Sequence, residues 1–360
     1  MAFLFMPSMV QQRRGRSIMR LKESDYIQTT RDDNNTVVFD PNDTFGHVSA
    51  VGMQHKGAAY VDGNKKFIKL DDINPTVRGD WKDPFNYQYS SVSDAIVSCF
   101  VQNMGEDARF QSVTYTFERF DNRGVISTGT ASDNFLKEDE VEHILSIGRE
   151  SSTDIIIPIE KYVDILDSKT GTQLDKLTAV FESDHMSKDD AKHFLVQQAG
   201  FDLLTGNRDR MNNPSNFVLA FNTETETARP VNLDYGRCLQ IDWTPTLEER
   251  FDFNADYVEE MIDDASSDII SGIGFDGLFK EVDDLKRQGF EPFNIDKQGL
   301  HDDLDALVER MEASDVPFKK FAKVKVEAFK RALEHDKVKD LWVDTSLSLN
   351  LDDLDMAQSL

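Results

Sequence analysis

The chain has 360 residues, enough for one two-lobed domain or two ordinary domains. Hydrophobic residues make up 39%, including 25 Phe, so a sizeable core can form, while 40 Lys and Arg against 66 Asp and Glu leave a net charge of −26. Such a surface repels nucleic-acid backbones and anionic membranes, so neither is an expected direct partner; a small anionic ligand remains compatible, because a local Lys, backbone N–H groups and a bound cation outweigh distant charge.

The first ten residues are apolar, but the run is too short for a membrane span, and its basic residues follow it instead of preceding it, so it reads poorly as a signal peptide. Arg13, Arg14, Arg16, Arg20 and Lys22 then form a small basic cluster. Residues 1–35 read as an N-terminal extension, either a free arm or one that packs on the acidic body or binds a partner. Cys99 and Cys238 show neither metal nor redox spacing, and a chain of this size needs no disulfide framework, so a reducing cytoplasm is the expected setting.

Residues 36–122 are expected to form a mainly β lobe. Val37-Val-Phe39 is a short apolar run. The stretch 44–60 carries Gly46, Gly52 and Gly57 with little bulk between them, and Ser49 lies inside it. Asp62-Gly63-Asn64 is a turn signal, and Lys66-Phe-Ile-Lys-Leu70 alternates as a strand does, with Lys69 among apolar neighbours. A Gly-containing loop before a strand with an inward Lys suits phosphate binding, although glycines between strands also make plain turns. Residues 91–105 read as a helix with a glycine stop, capped by Ser91 or Ser93, with Val92, Ala95, Ile96, Cys99 and Phe100 on one face. Asp94 is placed in its first turn, either as a surface acid favoured by the helix dipole or as the partner of the strand Lys. Residues 110–117 alternate as one strand, Asp121-Asn-Arg-Gly124 makes a turn, and the acid-rich run 138–145 reads as the start of a helix.

Residues 123–342 are expected to form a helical lobe. Ser187 with Asp190 resembles a capping box opening a helix over 188–204, with Ala191, Phe194, Leu195 and Phe201 inward. Helical spacing recurs over 247–262, 300–311 and 318–332, and 343–360 reads as an acidic tail. The helix over 188–204 delivers the most informative stretch, Phe201-Asp-Leu-Leu-Thr-Gly-Asn-Arg-Asp-Arg210, followed by Met211, Asn212, Asn213, Pro214, Ser215 and Asn216, and then by the apolar run Phe217-Val-Leu219. A second apolar run ends in Leu233-Asp-Tyr-Gly236.

A polar loop holding Asp and Asn, joined by a hairpin to an Asp-aromatic-Gly, is how kinase-like enzymes set a base and two metal ligands around a nucleotide. Asp209 would orient a substrate hydroxyl and accept its proton. Asn216 and Asp234 would offer the oxygen ligands that Mg²⁺ prefers. Lys69 would hold the α/β-phosphates, with Asp94 fixing its ammonium. Taken singly, Asp209 is equally an ion-paired surface residue between two arginines, and Asp234 a strand terminus.

These residues resemble the HipA-like kinases, bacterial members of the protein-kinase-like fold. The segment 201–210 is similar to that family's Asp-x-Leu-x-Gly-Asn-x-Asp-Arg-His, Asn216-Phe-Val-Leu219 to its metal-binding Asn and strand, and Leu233-Asp-Tyr-Gly236 to its second metal-binding Asp. Lys66-Phe-Ile-Lys69 resembles the nucleotide-Lys strand, Asp94-Ala-Ile-Val-Ser98 the helix with the Lys partner, and Ser132-Asp-Asn-Phe-Leu136 a further family segment. The resemblance implies an α+β, two-lobed protein-kinase-like fold and an ATP- and Mg²⁺-dependent kinase acting on Ser or Thr of a protein substrate or of itself. It assigns Asp209 as base, Asn216 and Asp234 as metal ligands, Lys69 and Asp94 to the nucleotide, and Ser49, Gly52 and Gly57 to the phosphate loop, with Ser49 as a self-phosphorylation site. Met211 stands where the family has His, and Asp94 is shorter than the usual Glu. The interval from Asp209 to Asn216 is two residues longer than the family's. Either the loop bulges at 212–214 or Asn213 is the ligand; Asn216 is preferred because it directly precedes the strand. Two other functions fit the same sequence: a small-molecule or lipid kinase, and a catalytically inactive acidic protein that binds a basic partner.

Overall fold

The computed structural model describes residues 26–42, 54–73, 90–105, 111–133, 140–144, 173–182, 186–207, 217–222, 227–232, 255–271, 282–313 and 319–346, with residues 24, 225, 235, 236, 238 and 239. Two tight turns organise its first sheet. Strand β4 (Gln54–Val61) returns as β5 (Asn64–Ile73) through Asp62 and Gly63, at φ 52° and 77°. Strand β7 (Tyr115–Asn122) returns as β8 (Val125–Asp133) through Arg123 and Gly124, at φ 58° and 82°. Two left-handed residues in a two-residue loop make the hairpin turn whose twist suits antiparallel strands. In the second turn, the Asp121 carboxylate accepts from the Gly124 N–H at 2.6 Å.

The other strands of this sheet are β1 (Tyr26–Ile27), β2 (Thr29–Arg31) and β3 (Val37–Phe39). The order is β1-β4-β5-β8-β7-β3-β2. Since β1 and β2 are separated only by Gln28, one bent strand lies on both edges and closes the sheet into a barrel. Two side-chain contacts fasten the seam: the Thr29 hydroxyl donates to the Tyr60 carbonyl, and the Arg31 guanidinium grips Asp62 and Glu118. Inside lie Ile27, Val37, Phe39, Ala59, Val61, Ile68, Leu70 and Phe120. The rings of Phe39 and Phe120 stack at 5.7 Å. The barrel takes in β1 and β2, from the stretch read as an extension, and runs on through β8 to Asp133, past the junction expected at 122.

Helix α1 (Ser90–Gln102) lies on the outer face of the barrel, and every residue from Ser90 to Phe100 is buried. A helix buried all round must have protein on both sides. Its second neighbour is the helical half: α2 (Gln173–Phe181), α3 (Lys188–Leu204), α4 (Ala255–Ser271), α5 (Val282–Arg287), α6 (Lys297–Ala313) and α7 (Lys319–Leu333). One continuous apolar core runs from Ile96 and Phe100 of α1 through Phe201, Tyr235, Leu300 and Phe329. Phe100 meets Phe201 and Phe329 edge-on at 5.8 and 5.9 Å, an arrangement that adds to simple burial.

A second sheet, in the order β6-β11-β10-β9, is built from β6 (Gln111–Ser112), β9 (Glu140–Ile144), β10 (Phe217–Asn222) and β11 (Thr227–Asn232). Two expectations are corrected here. The acid-rich run at 138–145 holds strand β9, paired antiparallel with β10 from Val218↔Ile144 to Asn222↔Glu140. The alternating run 110–117 is not one strand: β6 joins the second sheet, while β7 joins the barrel. The chain crosses between them where the Val113 N–H donates to the Asn232 carbonyl at 2.9 Å and the Tyr115 N–H donates to the Ser98 hydroxyl at 2.7 Å. The tail begins in order: β12 (Phe293–Ile295) and β13 (Trp342–Asp344) pair in parallel. No helix among the described residues is long and apolar enough to cross a membrane.

Candidate active site

Side chains alternate along β5, so with Ile68 and Leu70 inside the barrel, Lys69 and Asp71 face outward onto α1. Lys69 is 4% exposed and Asp94 of α1 is fully buried. The Lys69 ammonium donates to Asp94 Oδ2 at 2.9 Å. Asp94 Oδ1 accepts from the Tyr235 backbone N–H at 3.0 Å. One carboxylate therefore joins the strand Lys, the helix and the segment that follows β11. A buried ion pair is tolerated only when its remaining lone pairs and protons are satisfied, and the Tyr235 N–H supplies part of that.

Tyr235 is itself fixed on several sides. Its hydroxyl donates to the Asn232 carbonyl at 3.0 Å, and its ring meets those of Tyr115 and Phe201 at 5.6 and 5.9 Å. The Lys69 ammonium stands 5.7 Å from the centre of the Tyr115 ring. Gly236 follows, and a Cβ there would meet Ser90 Cβ at 3.0 Å and Lys69 Nζ at 3.1 Å. The glycine thus lets Ser90 and the Lys69 ammonium pack directly against the backbone.

The start of α1 departs from the sequence reading. The helix begins at Ser90, so Asp94 sits one turn in and neither Ser91 nor Ser93 is the cap. The cap comes from β5. Asp71 Oδ1 accepts from the Ser91 N–H at 3.0 Å, and its Oδ2 accepts from the Ser91 and Thr128 hydroxyls at 2.5 Å each. Burial pushes the Asp71 carboxyl up to about 6, against the pull of these donors, and the nearby Asp94 pushes the same way. Ser93 instead accepts from the Lys325 ammonium at 2.6 Å, a buried contact from α7. Sequence reasoning missed Asp71 and Lys325. The only signal for Asp71 was its spacing of two from Lys69 along a strand.

The helix leading to the polar loop forms as expected. Ser187 caps α3 by accepting from the Asp190 N–H at 3.1 Å, and Ala191, Phe194, Leu195 and Phe201 are buried. Strands β10 and β11 form the expected hairpin, from Phe217↔Asn232 to Asn222↔Thr227. Leu239 donates its N–H to the Thr205 carbonyl at 2.9 Å, tying the end of α3 to the segment beyond Gly236. The candidate base Asp209, the candidate metal ligands Asn216 and Asp234, the alternative Asn213, and Ser49 and Gly52 all lie outside the described residues. Gly57 is described, but it lies within β4 opposite Ile68, not in a loop. Among the described residues no group of three or more His, Cys, Asp or Glu is placed to hold a metal ion.

No family model matches the sequence, and no curated protein is significantly similar to it. Among solved structures, the chain is similar to the crystal structure of a Helicobacter pylori proinflammatory kinase, CtkA, at 15% identity and a TM-score of 0.44, over 84% of this chain and 93% of that one. It is similar at 12% identity to the Golgi casein kinase, with a TM-score of 0.31 over 89% and 76% of the two chains. Against the same kinase with Mn/ADP bound, the identity is 12% and the TM-score 0.32, over 89% and 75%. These are distant likenesses, and the functional reading rests on the residues of this chain.

Proposed function

We propose that the chain is an ATP- and Mg²⁺-dependent phosphotransferase of protein-kinase-like fold, akin to the HipA-like kinases, acting on Ser or Thr of a protein substrate or of itself. The observation that carries this reading is the division of the Asp94 carboxylate between the Lys69 ammonium and the Tyr235 N–H. A buried Lys held by a helix acid suits the α/β-phosphates of a nucleotide, because its position is set before the ligand arrives. Joining the same acid to the residue after Asp234 couples that Lys to the expected metal-binding segment. Gly236 lets the backbone after Asp234 lie directly against Lys69 Nζ, where a Cβ would be crowded, so the ammonium and the expected metal-binding segment stay close together.

In this reading Lys69 binds and orients the phosphates, and Asp94 keeps the ammonium aimed. Asp209 orients the acceptor hydroxyl and takes its proton, a role worth roughly two to four orders of magnitude in rate. Asn216 and Asp234 would hold Mg²⁺, for which Asp and Asn oxygens are suitable donors. When bound, the ion neutralises charge on the transferring phosphoryl group. Ser49, Gly52 and Gly57 belong to the proposed nucleotide-binding lobe, with Ser49 as acceptor in self-phosphorylation.

Intact-mass measurement after incubation with ATP and Mg²⁺ tests this directly. A gain of one phosphate, absent in Asp209→Ala and Asp234→Ala, is the expected result. Turnover of ATP with small alcohols but no labelling of protein would move the acceptor to a metabolite or lipid. No transfer with any divalent metal would sink the catalytic reading and leave an acidic binding protein.

A further inference from the structure

Helix α1 meets β5 at two points spaced alike on both elements. Lys69 and Asp71 are two apart on one face of a strand, and Asp94 and Ser91 are three apart on one side of a helix. The first pair is the ion pair. The second is the Asp71 carboxylate with the Ser91 N–H and hydroxyl, extended to Thr128 on the neighbouring β8. A neutral Ser or Asn caps a helix end as well as an acid does, and burying an acid is costly unless it is well hydrogen-bonded. Asp71 is 4% exposed and accepts from three donors on two elements. That ties the start of α1 to a point two residues from Lys69. On its other side α1 is held by Lys325 through Ser93.

We propose that Asp71 is a positioning residue for the phosphate-binding Lys: it locks the first turn of α1 onto β5 and β8, so that Asp94 presents one oxygen to Lys69 and the other to the Tyr235 N–H. The role assigned to Lys69 rests on the function proposed above; the positioning of α1 does not. Two contacts fix both the height and the rotation of a helix on a sheet, which one contact leaves free to turn. With Asp71 gone, α1 keeps its apolar packing and the contacts of Ser93 and Ser98 but loses the one that fixes its first turn on β5 and β8, and the Lys69–Asp94 pair loosens.

A double-mutant cycle separates this role from mere support of the fold. Asp71→Ala, Asp94→Ala and the double variant are compared for kcat and KM in γ-phosphate transfer. Asp71→Ala is expected to lower kcat/KM by about tenfold or more, the scale of a hydrogen-bonded charged group. The double variant is expected to be no worse than Asp94→Ala alone, since both act through one Lys. Additive losses would overturn the proposal. A second readout needs no nucleotide: labelling of Lys69 with an amine-acylating reagent, mapped by peptide mass, with the buried Cys238 thiol as control for global opening. Faster labelling of Lys69 with Cys238 still protected supports the proposal; unchanged Lys69, or both exposed together, counts against it. Should Asp71→Ala fail to fold, Thr128→Val removes one of the three donors and enters the same cycle. If the unaltered chain transfers no phosphate, the kinase reading fails and the labelling result decides the positioning role by itself.

Discussion

Asp94 and Tyr235 are 141 residues apart in the chain and joined by one hydrogen bond of 3.0 Å. The acid that holds the strand Lys therefore also senses where the segment after β11 lies. Asp94→Asn keeps an acceptor for the Tyr235 N–H but removes the charge facing a buried ammonium. Breaking one side of a buried pair leaves the other uncompensated, at about 3–5 kcal/mol. Urea unfolding of Asp94→Asn is expected to show a loss on that scale. The double variant Lys69→Met with Asp94→Leu is expected to recover much of it while remaining unable to bind nucleotide, and equal destabilisation in single and double variants would refute the pairing energetics.

Gly236→Ala asks whether the close packing of the backbone on Lys69 matters. The added Cβ would press on Ser90 Cβ and on Lys69 Nζ. Ser90 is held in a buried helix, so the flexible end of Lys69 is what gives way. A stability loss of about 1–3 kcal/mol is expected from overpacking. Fluorescent-ATP titration should show weaker binding than that loss of folded protein accounts for. Unchanged affinity would place the nucleotide elsewhere.

Asp71 makes stability depend on pH in a definite direction. Burial raises its folded value to about 6 from an ordinary 3.8. The folded chain thus holds this proton over a range where the unfolded chain has released it. The contribution is fully present below the ordinary value and is lost as pH rises through about 6. A shift of this size corresponds to about 2–3 kcal/mol. Denaturant midpoints for the unaltered chain and Asp71→Asn, taken between about pH 4 and pH 7, should differ increasingly in favour of the Asn variant as pH rises. Parallel curves would contradict the assignment.

Ser187→Ala removes the hydroxyl that accepts from the Asp190 N–H at the start of α3. Loss of such a cap costs about 1 kcal/mol. Thermal unfolding should register this while acylation of Lys69 is unchanged, because the cap lies at the far end of the helix from Phe201 and Tyr235. Altered labelling at Lys69 would mean that α3 transmits strain to the site.

Features governed by neighbours in sequence were legible. Ser187 with Asp190, the Asp62-Gly63 turn and the alternation of Lys66–Leu70 are local signals, and each appears where expected. The pairing of Lys69 with Asp94 was legible only as one of two alternatives, since nothing in the sequence says that α1 lies against β5. Long-range contacts decided the remainder. Acids at 138–142 suggest the first turn of a helix, yet pairing with β10 makes residues 140–144 a strand, as tertiary context overrides local preference. Ser91 and Ser93 look like caps in one dimension, but Asp71 approaches from 20 residues away and takes that role. A continuous alternating pattern also gave no sign that the chain would change sheets between Ser112 and Tyr115.

The bent strand at residues 26–31 has a consequence for how the first half of the molecule comes apart. By pairing with β4 at Ala58 and Ala59 and with the whole of β3, it covers backbone groups that would otherwise be templates for association with other chains. Removing that one strand would expose two edges at once. A deletion through Arg31 should therefore aggregate more readily than its small loss of apolar contact implies, making the seam at Arg31 and Asp62 a guard against self-association.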